Sequence, residues 1–285
     1  MLHIPSPSDF QKVLYGPAAA RPAAAYGTTV TPGDNTKGSY AQLISGASLT
    51  EDVYLVEINI NANFVAATAR SAILDIGYDP AGGTSYSILI ADLMCASASN
   101  LCITREGFLG YNYMFPLFIK AGTSIGAAAS VDNATVGTLR CWARFYCKPK
   151  HPEALKVGSY VESLGVTAAS SEGTTVTSGT TSEGSWTSLG TTTKPAWWFQ
   201  VGGGVNNLAI TSVAYFLDLS AGASGGEKLL IDDVLLHGNS NNDLLCLQPH
   251  ICLGGEVVSG ASIWGRAQCS GTAQTMTMMA YCLGG

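Results

Sequence analysis

The sequence predicts an all-β protein: two tandem β-sandwich (jelly-roll-like) repeats with an extended N-terminal arm. Three observations carry this. Co-linear matches recur along the chain at spacings of 133 to 146 residues. Within each copy the apolar residues alternate with period two, as half-buried strands require. Between the alternating runs stand Gly, Ser, Thr, Asn and Pro clusters, and no long amphipathic helix interrupts them.

The repeat is read most directly at Gly27 to Thr31 and Gly173 to Thr177, both GTTVT, 146 residues apart. At the same shift Gly33, Gly38, Ser39 and Tyr40 match Gly179, Gly184, Ser185 and Trp186. Leu74-Asp75-Ile76 then matches Leu217-Asp218-Leu219, and Ile90-Ala91-Asp92-Leu93 matches Ile231-Asp232-Asp233-Val234. The copies end alike, at Tyr146-Cys147 and Tyr281-Cys282. A repeat of this length is one folded unit duplicated, and drift in the spacing marks loop insertions.

From the N-terminus, residues 1–22 read as an arm: Ser8 to Leu14 has the acidic start of a helical turn, and the stretch after it, through Pro17 and Pro22, has no core of its own. Residues 23–150 form the first sandwich. In it Tyr54, Val56, Ile58 and Ile60 point one way and Leu55, Glu57, Asn59 and Asn61 the other, and Asp79 to Gly83 supplies a turn. Residues 151–167 form a linker with a short helical turn over Pro152 to Val157, and residues 168–285 the second sandwich. Each copy holds about seven or eight strands, which leaves jelly-roll and immunoglobulin-like topologies both open.

Composition bounds the function. At 47% hydrophobic and 285 residues the chain can bury two cores. Only 12% of residues are charged, about half the usual share, so its surface suits packing against neighbours. A net charge of −6 disfavours a nucleic-acid partner, which needs a basic face. No run approaches the ~18 apolar residues of a membrane helix. The N-terminus places Asp9, Gln11 and Lys12 where a signal peptide has its apolar centre, so synthesis and folding in a cytoplasm are expected.

Chemistry-bearing patterns are absent or out of context. Gly222-Ala223-Ser224-Gly225-Gly226 spells a nucleophile elbow, but a strand follows where a helix is needed. Asp75 and Asp79 resemble a calcium loop without its closing glutamate, and a turn-capping role fits them better. His3, His151, His237 and His250 are scattered, outside any metal-ligand spacing. Asp232 and Asp233 are adjacent and so should face opposite sides of a strand. No phosphate cradle is present. No catalytic residue, metal ligand set or cofactor is therefore expected.

Of eight cysteines, Cys102 matches Cys246 and Cys147 matches Cys282. Cys95, Cys141, Cys252 and Cys269 have no counterpart. Buried thiols acting as small hydrophobes are one reading. The other is a bridge inherited by both copies, Cys102 to Cys147 and Cys246 to Cys282, formed once the protein meets an oxidising medium.

The architecture, the low charge, the arm and the lack of an export signal together resemble virion proteins of tailed bacteriophages, in particular jelly-roll proteins that decorate heads or ring the neck. The resemblance implies a non-enzymatic role in the virion: decorating or stabilising a capsid or neck through contacts with copies of itself and with other virion proteins. Because a trimer of a two-copy chain presents six similar units, a trimer is favoured. The alternative is a tail-associated receptor-binding sandwich that recognises a glycan with Trp142, Trp186, Trp264 or the consecutive Trp197-Trp198. A candidate interface lies in the last strand of the first copy, where Arg140, Trp142, Arg144 and Tyr146 share the face opposite Leu139, Cys141, Ala143, Phe145 and Cys147. Arg, Trp and Tyr anchor interfaces, and the matching face of the second copy carries Thr275, Thr277, Met279 and Tyr281 instead.

Overall fold

The computed structural model describes residues 4–17, 27–63, 72–95, 111–131, 138–166, 173–204, 213–238, 256–273 and 275–285. Apart from two single-turn 3-10 helices, Pro7–Asp9 and Pro152–Ala154, its regular structure is β. The first copy contains β1 (Phe10–Gly16), β2 (Thr28–Val30), β3 (Gly33–Asp34), β4 (Ala41–Ile44), β5 (Val53–Asn63), β6 (Ala72–Asp79), β7 (Ser87–Met94), β8 (Tyr111–Phe115), β9 (Ser124–Val131) and β10 (Thr138–Pro149). The second contains β11 (Tyr160–Leu164), β12 (Thr174–Thr177), β13 (Thr187–Thr191), β14 (Trp198–Gly204), β15 (Val213–Ala221), β16 (Lys228–Gly238), β17 (Ser262–Cys269) and β18 (Thr275–Gly284).

Strand order settles the topology. One sheet of the first copy runs β2-β10-β5-β8 and the other β4-β9-β6-β7, so the chain crosses between sheets at every step from β4 to β10 except the β6–β7 hairpin, in two interleaved Greek keys. That is the jelly roll, not the immunoglobulin arrangement. The second copy repeats it: β12-β18-β14 in one sheet and β13-β17-β15-β16 in the other. Inward residues of facing sheets fill each sandwich. Val56, Ile58, Ile60, Leu74, Ile76, Cys141 and Phe145 belong to one core, and Val176, Phe199, Val201, Leu217, Leu219, Met276 and Met278 to the other.

Two expectations need correction. Ser8 to Leu14 is not a helical turn. Only Pro7–Asp9 coils, with Asp9 Oδ2 accepting the Ser6 N–H at 2.7 Å, and the chain then extends as β1, antiparallel to β10 from Phe10 opposite Pro149 to Gly16 opposite Ala143. The arm is extended, but this part of it belongs to its own sandwich, because a free edge of β10 satisfies its backbone better than a lone turn could. The linker does hold a short helical turn, Pro152–Ala154, but it then gives β11, which pairs with β18. Each lead-in is thus part of the duplicated unit.

Candidate interaction site: the seam between the copies and the face of β10

A jelly roll is open along the side where its two sheets end, here at β7 and β8, edge strands with unpaired backbone groups. Across the first copy's mouth the Tyr113 hydroxyl donates to Met94 O at 2.6 Å. The second copy closes the rest. On β18, Met276, Met278, Ala280 and Cys282 enter their own core, while Met279, Tyr281 and Leu283, with Trp198 of β14, join the core of the first copy. The Tyr281 hydroxyl accepts the Met94 N–H at 2.7 Å and donates to Asp92 O at 3.1 Å, which satisfies the edge of β7. Its ring meets Tyr113 edge-on, with centroids 5.2 Å apart. Gln200, fully buried, does the same for β8: its Oε1 accepts the Met114 N–H at 3.4 Å and its Nε2 donates to Met114 O. Desolvation pushes the Tyr281 phenol far above its ordinary pKa, so it stays a neutral donor. The β18 face carrying Met279, Tyr281 and Leu283, outward with respect to its own sandwich, is therefore buried against the first copy.

The matching face of the first copy is different. Arg140, Trp142, Arg144 and Tyr146 do share one face of β10, opposite buried Leu139, Cys141, Ala143, Phe145 and Cys147. Tyr146, however, is buried in a small cluster with Phe10, Leu55 and Leu155 of the linker. Its hydroxyl donates to Glu57 Oε2 at 2.7 Å, and burial together with that carboxylate pushes the phenol up to about 12. Arg144 Nη1 donates to both Glu57 oxygens, at 3.1 and 3.2 Å, and its Cζ lies 4.5 Å above the Trp142 ring, which stacks on Tyr15. Arg140 instead reaches Thr29 Oγ1. Glu57, only 5% exposed, is the residue sequence reading missed. Alternation puts it on the outer face, but only strand register brings Arg144 opposite it. Arg144→Ala would strip a buried carboxylate of its cation, so Arg140 and Trp142 are the cleaner probes of docking.

A second acidic element is duplicated. Asp75 Oδ1 accepts the Asp92 N–H at 2.8 Å, and Asp218 Oδ1 accepts the Asp233 N–H at 2.9 Å. Asp92 and Asp233 have left-handed φ of 55° and 51°, so each marks the bulge the buried carboxylate holds in place. Lys37 neutralises Asp75 and Asp92. In the second copy the matching position is Glu183, and the cation comes from Arg266, which pairs with Asp218 at 2.7 Å and with Glu183 and stacks 4.3 Å over Trp186. The bulge also overturns the expectation for Asp232 and Asp233: with Glu183 and Asp218, one oxygen of each lies within 4.8 Å of the others. Within this group Arg266 supplies the positive charge to Glu183 and Asp218.

The remaining sequence candidates fall into structural roles. Asp79 caps its turn by accepting the Ala81 and Ser85 N–H groups, both at 2.9 Å. Gly222 to Gly226 is a hairpin turn closed by Gly226 N–H to Ala223 O, and Gly222 O accepts the Trp264 indole N–H. Trp197 and Trp198 are buried, and Trp142, Trp186 and Trp264 half-buried. His3 and His250 lie outside the described residues, as do Cys102, Cys246 and Cys252. Cys147 and Cys282 are buried free thiols, like Cys95, Cys141 and Cys269. Burial pushes Cys141 up to about 12 and Cys147 up to about 11. These thiols should react with an aromatic disulfide reagent at pH 8 at least a hundredfold more slowly in the folded chain than in urea, and equal rates would contradict the burial.

Fold and site together define a tandem double jelly roll in which one copy's outer sheet seals the other's mouth. No protein-family model matches the sequence, and no curated protein matches it. Among solved structures, the chain is similar to an N-glycanase F (PNGase F), with TM-score 0.39, 9% identity, and 96% of each chain covered. It is also similar to PNGF-II, with TM-score 0.38 and 11% identity over 97% of this chain and 66% of that one. A third is infectious bursal virus-derived T=1 particles, with TM-score 0.24 and 10% identity over 100% of this chain and 72% of that one. At these TM-scores the likenesses carry no functional argument.

Proposed function

We propose that the chain is a non-enzymatic structural protein of a virion, decorating or stabilising a capsid or neck through contacts between sandwiches. The observation that carries this is the seam. Two copies of one unit are joined by the outer sheet of one seated in the open mouth of the other, with Tyr281 and Gln200 satisfying both free edges. Such contacts are heterologous, the kind that builds rings and shells from repeated units. The described polar groups in buried positions fit the same reading: Glu57, Asp75, Asp79 and Asp218 each hold a strand, turn or bulge. A low-charge surface favours permanent neighbours over free solution. Electron microscopy of particles produced with and without the gene tests it: ordered density on heads or necks that vanishes in the deletion is expected. Particles unchanged by the deletion, and free of the protein by mass spectrometry, would overturn it.

A further inference from the structure

Among the described residues, two surfaces lack the cover that their counterparts have at the seam. One is the edge of β16 in the second copy. Leu235 on β16 corresponds in register to Met94 on β7: Val234 pairs with Leu217 as Leu93 pairs with Leu74. Met94 is completely buried in the core that the two copies share, but Leu235 is 48% exposed. Beside it Asp232 and Asp233 are exposed, where the first copy has Ala91 and Asp92. The other surface is the outer face of the first copy on β10, the counterpart of the face that β18 seats in the mouth. Its lower rung, Leu55 and Tyr146, matches Gln200 and Tyr281 in register and is covered by Leu155 of the chain's own linker. The next rungs, Arg144, Trp142 and Arg140, are half-buried, with exposed Tyr15 alongside.

We infer that these two surfaces bind each other between copies of this chain: the Arg140–Trp142–Arg144 face of one first sandwich docks on the Leu235–Asp232–Asp233 edge of the next chain's second sandwich. Charge supports the direction. Residues 1–150 hold ten basic and ten acidic side chains and so balance, whereas residues 151–285 hold four basic and ten acidic, a net −6. The exposed edge of the acidic half meets the arginine-bearing face of the neutral half, and complementary patches of this kind fix register and exclude wrong pairings. Because the contact is head to tail, it joins chains in a ring where the rotation closes and does not pair two chains about a two-fold. A ring of three chains, six jelly rolls around, is the closed form expected. The inference deepens the structural reading above but does not need a virion, and it can fail separately from it.

The test uses the full chain and two variants, Arg140→Glu/Trp142→Ser on the face and Leu235→Lys on the edge, each checked for native near-UV circular dichroism. The wild type should sediment at three times the 29.5 kDa chain mass. Each variant alone should sediment as one chain, since every contact needs both surfaces. Mixed in equal amounts the variants should form a two-chain species, because each still owns one intact surface. That complementation distinguishes a head-to-tail contact from a two-fold one, in which a single variant would still self-associate. A monomeric wild type, a natively folded variant that keeps the wild-type mass, or a mixture that stays monomeric overturns the inference. Should either variant lose native circular dichroism, the milder Arg140→Gln and Leu235→Ser replace the pair under the same criteria. A trimer absent from particles would sink the virion reading alone, and particle density from chains that assemble regardless of both variants would sink the ring alone.

Discussion

Tyr281→Ala should cost about 4–8 kcal/mol of stability. Removing a fully buried aromatic ring accounts for about 3–5 of this, and the unpaired Met94 N–H adds about 1–3. The side chain touches both copies: it fills the first copy's core from a strand of the second, edge-on to Tyr113 and Phe115. Its hydroxyl bonds β7 twice. Tyr281→Phe keeps the ring and loses only those bonds, so its cost should fall to about 1–3 kcal/mol. The two variants together separate packing from hydrogen bonding. In urea, the wild type should unfold in one transition followed alike by near- and far-ultraviolet circular dichroism. Tyr281→Ala should split it, because the copies retain their own cores once the seam is broken. A loss below about 1 kcal/mol, with a single transition kept, would show that the seam contributes little.

Arg266→Ala should cost about 3–5 kcal/mol at pH 7, because it leaves Asp218, 2% exposed, as a buried carboxylate without its cation. Glu183, Asp232 and Asp233 crowd the same place. The deficit should shrink at pH 4, and the sign follows from the carboxyls. In the folded chain Glu183 and Asp232 are raised above their ordinary range, by desolvation first and then by the Asp218 charge. A group raised on folding holds its proton more tightly in the native state. Its contribution is complete at low pH and is lost as pH climbs from the ordinary carboxylate range through the raised value. Removing the guanidinium widens that gap. The variant should therefore lose more stability than the wild type between pH 4 and pH 7. Arg266→Lys, which keeps a charge but not the stacking on Trp186, should recover part of it. Urea midpoints of the three proteins at both pH values decide the matter, and a deficit independent of pH would remove the charge explanation.

The duplication and the fold class were legible because they reside in local, repeated chemistry. GTTVT, the Leu-Asp-aliphatic strand and the Tyr-Cys end mark equivalent strands in both copies, and period-two alternation separates core from outer residues on β5 and β10. The turn roles of Asp79 and of Gly222 to Gly226 were legible for the same reason, since a turn is closed by residues a few positions apart. Ser8 to Leu14 misled because its acidic start is a local helix signal, and pairing with β10, more than a hundred residues away, outweighs it.

What the amino-acid order by itself determined is thus the unit: two β-sandwiches, their strands, their inward faces, and a last strand that bears Trp and Arg in the first copy and neither in the second. The tertiary structure alone decided which outer faces are surface. Outer residues of a half-buried strand look the same whether they meet water, a linker or another sandwich, because alternation records only the side of the sheet. Tyr281, Met279 and Gln200 became core, Tyr146 was covered by Leu155, and Arg144 was paired to a buried Glu57, all through contacts between residues tens to hundreds of positions apart. Strand order decided the jelly roll for the same reason: hydrogen bonding between β10 and β5, or between β18 and β14, joins segments whose sequences carry no label for one another.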